Sequence, residues 1–141
     1  MKIKIERAKQ PHYARWASER LTGTAIPSED YWDDDNWITQ VWHAYADDLV
    51  AGYGVGAIHK NGSVYYLTSC GVETTFRGKG IQLRLIRARV RAARKLGAMV
   101  VETYTTWDNL PSQRNLIRAG FMPIFCERDE KSNFVHWQID L

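Results

Sequence analysis

Hydrophobic and polar positions change period several times along the chain, and each change marks an element. Ile3 and Ile5 alternate with Lys2, Lys4 and Glu6, the two-residue period of a short half-buried strand. Pro11 suits the first turn of a helix reaching about Leu21, where Thr22-Gly23-Thr24 ends it. Ser28 ahead of Glu29 and Asp30 supplies the capping hydroxyl and first-turn acids of a second, short helix. From Trp37 the texture is β, in segments Trp37 to Tyr45, Leu49 to Ile58 and Val64 to Val72, broken by Asp47-Asp48 and Lys60-Asn61-Gly62-Ser63. Asn-Gly tolerates positive φ at both centres of a hairpin turn, so an antiparallel meander is expected.

Ile81, Leu85, Ala88, Ala92 and Leu96 then recur every three or four residues, which predicts a helix from Gly80 to Leu96 with Arg84, Arg87, Arg91 and Arg94 on another face. Gly97 suits a left-handed cap, and Ala98 to Tyr104, with Val100-Val101, reads as a strand. Strand, helix, strand in that order implies a right-handed crossover and parallel pairing. Ser112 to Ala119 forms a further helix stopped by Gly120, and Val135, Trp137, Ile139 and Leu141 alternate as a closing strand paired with Phe121 to Glu127.

A chain of 141 residues with 45% hydrophobic and 25% charged positions fits a single domain, 1–141, and excludes a disordered polymer. No apolar run approaches the roughly 20 residues of a membrane span, and the first residues lack the apolar core of a signal peptide, so a cytoplasmic protein without membrane partners is expected. Cys70 and Cys126 show no metal-ligand spacing, and no metal is expected. The net charge of +3 hides a segregation. Glu29, Asp30, Asp33, Asp34, Asp35, Asp47 and Asp48 occupy a stretch between Arg20 and Lys60 that holds no Lys or Arg. Between Glu73 and Glu102 the pattern reverses, with Arg77, Lys79, Arg84, Arg87, Arg89, Arg91, Arg94 and Lys95 and no acid. Blocks of this kind suggest partners of opposite sign on different parts of the surface.

The chemistry concentrates between the third β segment and the cationic helix, in Glu73-Thr74-Thr75-Phe76-Arg77-Gly78-Lys79-Gly80-Ile81-Gln82. Glycines at a helix start let backbone amides approach an anion, and the helix dipole adds about half a positive charge there. The segment has neither the Gly-Lys-Ser/Thr of a Walker loop nor the third glycine of a dinucleotide fingerprint. Gly52-Tyr53-Gly54-Val55-Gly56 fits the latter loosely, but Asn61-Gly62 follows where a helix should begin. Those glycines are read instead as one strand face giving a neighbour room.

The stretch Val72 to Leu85 resembles the acyl-CoA motif of the GNAT superfamily of N-acetyltransferases: Arg or Gln, two residues, Gly, one residue, then Gly or Ala. Arg77 and Gly80 match, whereas Gln82 stands at the last position, where it is expected to crowd the turn against a pyrophosphate. Asn109, Ser112, Gly120 and Phe121 match a second block, and the likeness extends over about residues 37 to 125. It implies an α/β (α+β) acyl-CoA N-acyltransferase (GNAT) fold: a mixed, mostly antiparallel twisted sheet with helices on both faces. It further implies acetyl-CoA as acyl donor. The backbone of Cys70 and Val72 would meet its pantetheine arm beside a splayed fifth strand. Amides of Arg77, Gly78, Lys79, Gly80, Ile81 and Gln82 would hold the pyrophosphate, with Asn109 and Ser112 near the thioester.

The proton-transfer groups do not carry over. The positions where the family often places a base hold Tyr66 and Thr68, and its frequent acid position holds Leu116. Tyr104, Glu73 and His43 remain as catalytic candidates. The acceptor side would contain Asp30, Tyr31, Trp32, Asp33 and Asp34, carboxylates and aromatic faces suited to a cationic amine on a small molecule or peptide. The expected function is direct acetyl transfer from acetyl-CoA to a primary amine, with Cys70 not a nucleophile. The alternatives are an acyl-CoA-binding module without turnover, and nucleic-acid binding through the arginine-rich helix, disfavoured because the acidic stretch would repel a long polyanion. A homodimer is left open.

Overall fold

The computed structural model describes residues 1–8, 35–124 and 133–141. The helices expected near residues 11–21 and from residue 28, and Cys126, lie outside the described residues. Strands β1 (Ile3–Arg7), β2 (Trp37–Ala46), β3 (Leu49–His59) and β4 (Val64–Val72) lead to helix α1 (Ile81–Lys95). Strand β5 (Val100–Thr106), helix α2 (Leu110–Arg118) and strands β6 (Met122–Ile124) and β7 (Phe134–Asp140) follow. One sheet has the order β1-β2-β3-β4-β5-β7-β6. Every neighbouring pair is antiparallel except β4 and β5, which run parallel as the crossover required.

The meander forms, but its second turn is not the one expected. Pairing of β3 with β4 closes at Ile58 and Tyr65, too wide for a two-residue turn. The Gly62 amide donates to the His59 carbonyl at 2.8 Å, so Lys60 and Asn61 form the centre, and neither Asn61 nor Gly62 takes a positive φ. β5 begins two residues later than expected, because the Ala98 amide still bonds back to Ala93 and that of Met99 crosses to Ser63. Gly97, at φ 79°, does supply the left-handed turn after α1.

Helix α1 lies across the face of the sheet that carries Trp42, Ala44, Tyr65, Leu67 and Val101. Its buried stripe runs Ile81, Leu85, Arg89, Ala93, with Ile86 and Val90 beside it, while the expected Leu96 is 40% exposed. The dominant period is thus four residues through Leu85, which places one arginine inside. The glycines of β3 make that packing feasible. A β-carbon on Gly54 would sit 3.0 Å from the Arg89 Nε, one on Gly52 2.8 Å from the Gly71 carbonyl, and one on Gly56 would collide with the Tyr65 hydroxyl. The other face of β3 buries Tyr53 and Val55 with Val41 and Ala8.

Candidate active site

Strands β4 and β5 pair only at Val64 with Val100, Tyr65 with Val101 and Tyr66 with Glu102, then part. Two features force them apart. On the β3 side, Val55 pairs with Ser69 and Gly56 with Leu67, which leaves Thr68 as the extra residue of a β-bulge and turns β4 away from β5. Beneath the bulge lies Arg89, 2% exposed, whose NH1 donates to the carbonyls of Val55 at 2.9 Å and Ser69 at 3.2 Å while its Nε bonds the Leu85 carbonyl. The Thr103 hydroxyl donates to the Leu67 carbonyl at 3.0 Å and is the last bridge before the gap opens.

A cleft of about 250 Å³ fills the gap, walled by Leu67 to Cys70 of β4, Thr103 to Thr106 of β5, Gln82 and Arg89 of α1, and Ser112 of α2. Gln82, in the wall of the cleft, closely follows the glycine turn. Gly78 and Gly80 take φ of 79° and 76°, and a β-carbon at either would meet nothing within 4 Å, so the left-handed backbone, rather than crowding, demands glycine. No carbonyl among the described residues takes up the amides of Gly78, Lys79, Gly80, Ile81 or Gln82. The Arg77 amide differs from expectation, because it bonds the Thr74 carbonyl, and the Arg77 Nε folds back onto the Val72 carbonyl at 3.2 Å. Five free amides over open space at a helix start suit a pyrophosphate, and the residues present therefore fit acetyl-CoA.

Gln82 does not crowd that turn. Its Nε2 donates to the Ser112 hydroxyl at 2.9 Å and its Oε1 accepts from Asn115 at 2.7 Å, so it ties α1 to α2. Asn109 caps α2, its Oδ1 accepting the Ser112 amide at 3.3 Å. Asn109 and Ser112 thus line the cleft and also fix the helix that walls it. Asn115 was missed by sequence reasoning, although its place one turn after Ser112 is the signal that both face the same neighbour.

Cys70 lines the cleft and Val72 ends β4 paired with Gly52. Burial pushes the Cys70 thiol upward while the nearby Arg89 charge pulls the other way, and the net rise keeps it a thiol near neutral pH. Leu116, buried and lining the cleft, leaves the expected acid position without a hydroxyl.

Of the three proton-transfer candidates, the structure brings Tyr104 to the cleft. It is 56% exposed, its ring edge-on to Phe134 at 5.1 Å and near His136 at 6.0 Å. Glu73 lies beyond the end of β4, exposed, with its amide bonded to Ala51. His43 is buried on β2, paired with Glu6 of β1 and Tyr53 of β3, away from the cleft. Burial lowers its pKa, and Glu6 only partly opposes this. A hydroxyl pair not anticipated from the sequence, Tyr53 with Ser69 at 2.8 Å, sits at the bulge, and Ser69 lines the cleft. Asp30, Tyr31, Trp32, Asp33 and Asp34 lie outside the described residues. Among the described residues no cluster of His, Cys, Asp or Glu could hold a metal, and no helix is long and apolar enough to cross a membrane.

A family described as acetyltransferase (GNAT) matches residues 7–121. No curated protein sequence matches the chain. Among solved structures, an IAA acetyltransferase from Bacillus cereus is similar at a TM-score of 0.77 and 18% identity, over 99% of this chain and all of that one. A Bacillus subtilis acetyltransferase in complex with CoA gives 0.74 and 21%, over 99% of both chains. Arabidopsis thaliana Naa50, in complex with a bisubstrate analogue, gives 0.77 and 15%, over the whole of both chains. These likenesses show the fold: a mixed, mostly antiparallel twisted sheet with helices on both faces.

Proposed function

The chain belongs to the acetyltransferase (GNAT) family, and from that premise we propose that it moves an acetyl group from acetyl-CoA to a primary, cationic amine by direct attack on the thioester. The observation that carries the reading is the cleft between β4 and β5, with Gln82, the last of five free amides at the start of α1, in its wall. Bound acetyl-CoA supplies a thioester whose carbonyl carbon is open to an amine. The protein's own groups do the rest. The amides of Gly78 to Gln82 hold the pyrophosphate, and the β4 backbone beyond Tyr66, no longer paired with β5, aligns the pantetheine arm. The bulge at Thr68, fixed by Arg89, keeps that edge free of β5. The Tyr104 hydroxyl gives a proton to the departing sulfur. Positioning alone can contribute about 7 to 11 kcal/mol, which suits a cleft with no carboxylate among the described residues that line it.

Seven acids and no Lys or Arg between residues 21 and 59 support a cationic acceptor. With spermidine as probe the Michaelis constant should rise with ionic strength, and Asp33→Asn with Asp34→Asn should raise it further at low salt. Equal turnover of neutral and cationic amines, indifferent to salt, would remove the charge requirement. The buried Leu116 favours one other reading, an acyl-CoA-binding module without turnover, which binds acetyl-CoA yet acetylates nothing.

A further inference from the structure

We propose that the groove between β1 and α1 is a second binding site, for an anion that carries several phosphate groups in a row. The groove encloses about 560 Å³, and Lys2, Lys4, Arg84, Arg87 and Arg91 line it, with no carboxylate among the described lining residues. At 100° per residue, Gln82, Ile86 and Arg89 fall within about 60° of one another on α1, whereas Arg84, Arg87 and Arg91 fall within about 60° on the opposite side. The groove is therefore separated from the acyl cleft by the body of the helix. Arg84 also points there rather than toward the glycine turn, since its NH1 donates to the Ile3 carbonyl at 3.0 Å and fastens helix to strand.

Among the described residues the cations of the groove meet few acids. Lys4 pairs with Glu6, and Asp47 accepts the Lys2 amide. No ion pair among the described residues reaches Arg84, Arg87 or Arg91. Arg87 and Arg91 are exposed and four residues apart, a like-charge spacing that opposes helix formation, and α1 contains no acid to offset it. A bound polyanion relieves that repulsion. Guanidinium forks give two parallel bonds to phosphate, and Arg84 to Arg91 spans about 10.5 Å of helix. That length reaches about two to three successive phosphates of one nucleic-acid strand, and the whole of a short polyphosphate.

The proposal is independent of acetyl transfer, and its test is kept independent by saturating the protein with acetyl-CoA throughout. A short fluorescein-labelled oligouridylate is titrated by anisotropy, with tripolyphosphate as competitor. Contact with three phosphates of a single strand predicts that affinity falls roughly twenty-fold between about 50 and 200 mM salt. Arg87→Glu and Arg91→Glu should each weaken binding at least about tenfold, Arg87→Gln less, and Arg118→Glu, an equal charge change on α2 outside the groove, by less than about twofold. Displacement by tripolyphosphate assigns the site to a free phosphate run; oligouridylate that resists it assigns the site to a nucleic-acid strand. The proposal is overturned if neither probe binds, if Arg118→Glu weakens binding as much as Arg87→Glu, or if raising acetyl-CoA displaces the probe.

Discussion

Arg89 reaches the Ser69 carbonyl from beneath the sheet at 3.2 Å, and no carboxylate among the described residues shares its guanidinium. A buried charge without a counterion persists only where carbonyls solvate it, and here three do. Arg89→Leu should therefore destabilise the fold by about 1 to 3 kcal/mol for each strand carbonyl left without a partner. It should also weaken acetyl-CoA binding, because β4 is freed to close on β5. Arg89→Lys should recover part of both. Urea unfolding with and without acetyl-CoA measures the two effects, and a variant that loses stability but keeps full affinity would show Arg89 to be packing alone.

The glycine turn is tested through its φ of 76° at Gly80. Acetyl-CoA at 100 times its dissociation constant should stabilise the protein by about 2.7 kcal/mol, seen as a higher melting temperature. Gly80→Val cannot keep the left-handed backbone and should abolish most of that increment. The same increment in the variant would mean the pyrophosphate binds elsewhere.

This turn was legible in the sequence because its chemistry is local: glycines between a strand and a helix have one reading wherever the helix packs. The meander and the parallel crossover were legible for the same reason, each set by periods of two or of three to four residues. Arg89 was not legible, since its charge groups it with Arg87 and Arg91, and only the sheet above Leu85 shows that its side of the helix is covered. The Gln82 to Asn115 bond joins residues 33 apart on two helices, and nothing in either segment encodes that contact.

Tyr104 is the candidate acid at the cleft, and general acid catalysis contributes about 100 to 10,000-fold. Tyr104→Phe should lower kcat by at least the smaller factor while leaving the acetyl-CoA dissociation constant nearly unchanged. A fall of less than about threefold would leave the edge-on contact of the ring with Phe134 as its only role.

His43 gives the fold a dependence on pH. Burial depresses its pKa below the ordinary 6.5, so the unfolded chain binds a proton that the native protein refuses. Between the depressed value and 6.5 the unfolded state holds more protons, and stability falls as the pH is lowered through this window. His43→Gln should flatten the loss in urea midpoints measured from neutral to mildly acid pH. An equal slope in both proteins would place the acid sensitivity elsewhere.

Acetyl transfer at the cleft between β4 and β5 is tested by simultaneous detection of free CoA thiol and acetylated product with a panel of polyamines, aminoglycosides, amino acids and basic peptides. At least one cationic amine should raise thiol release above the amine-free rate, with one acetylated amine formed per thiol. Acetyl-CoA that raises the melting temperature while no amine in the panel raises thiol release would contradict it and leave a binding module in its place.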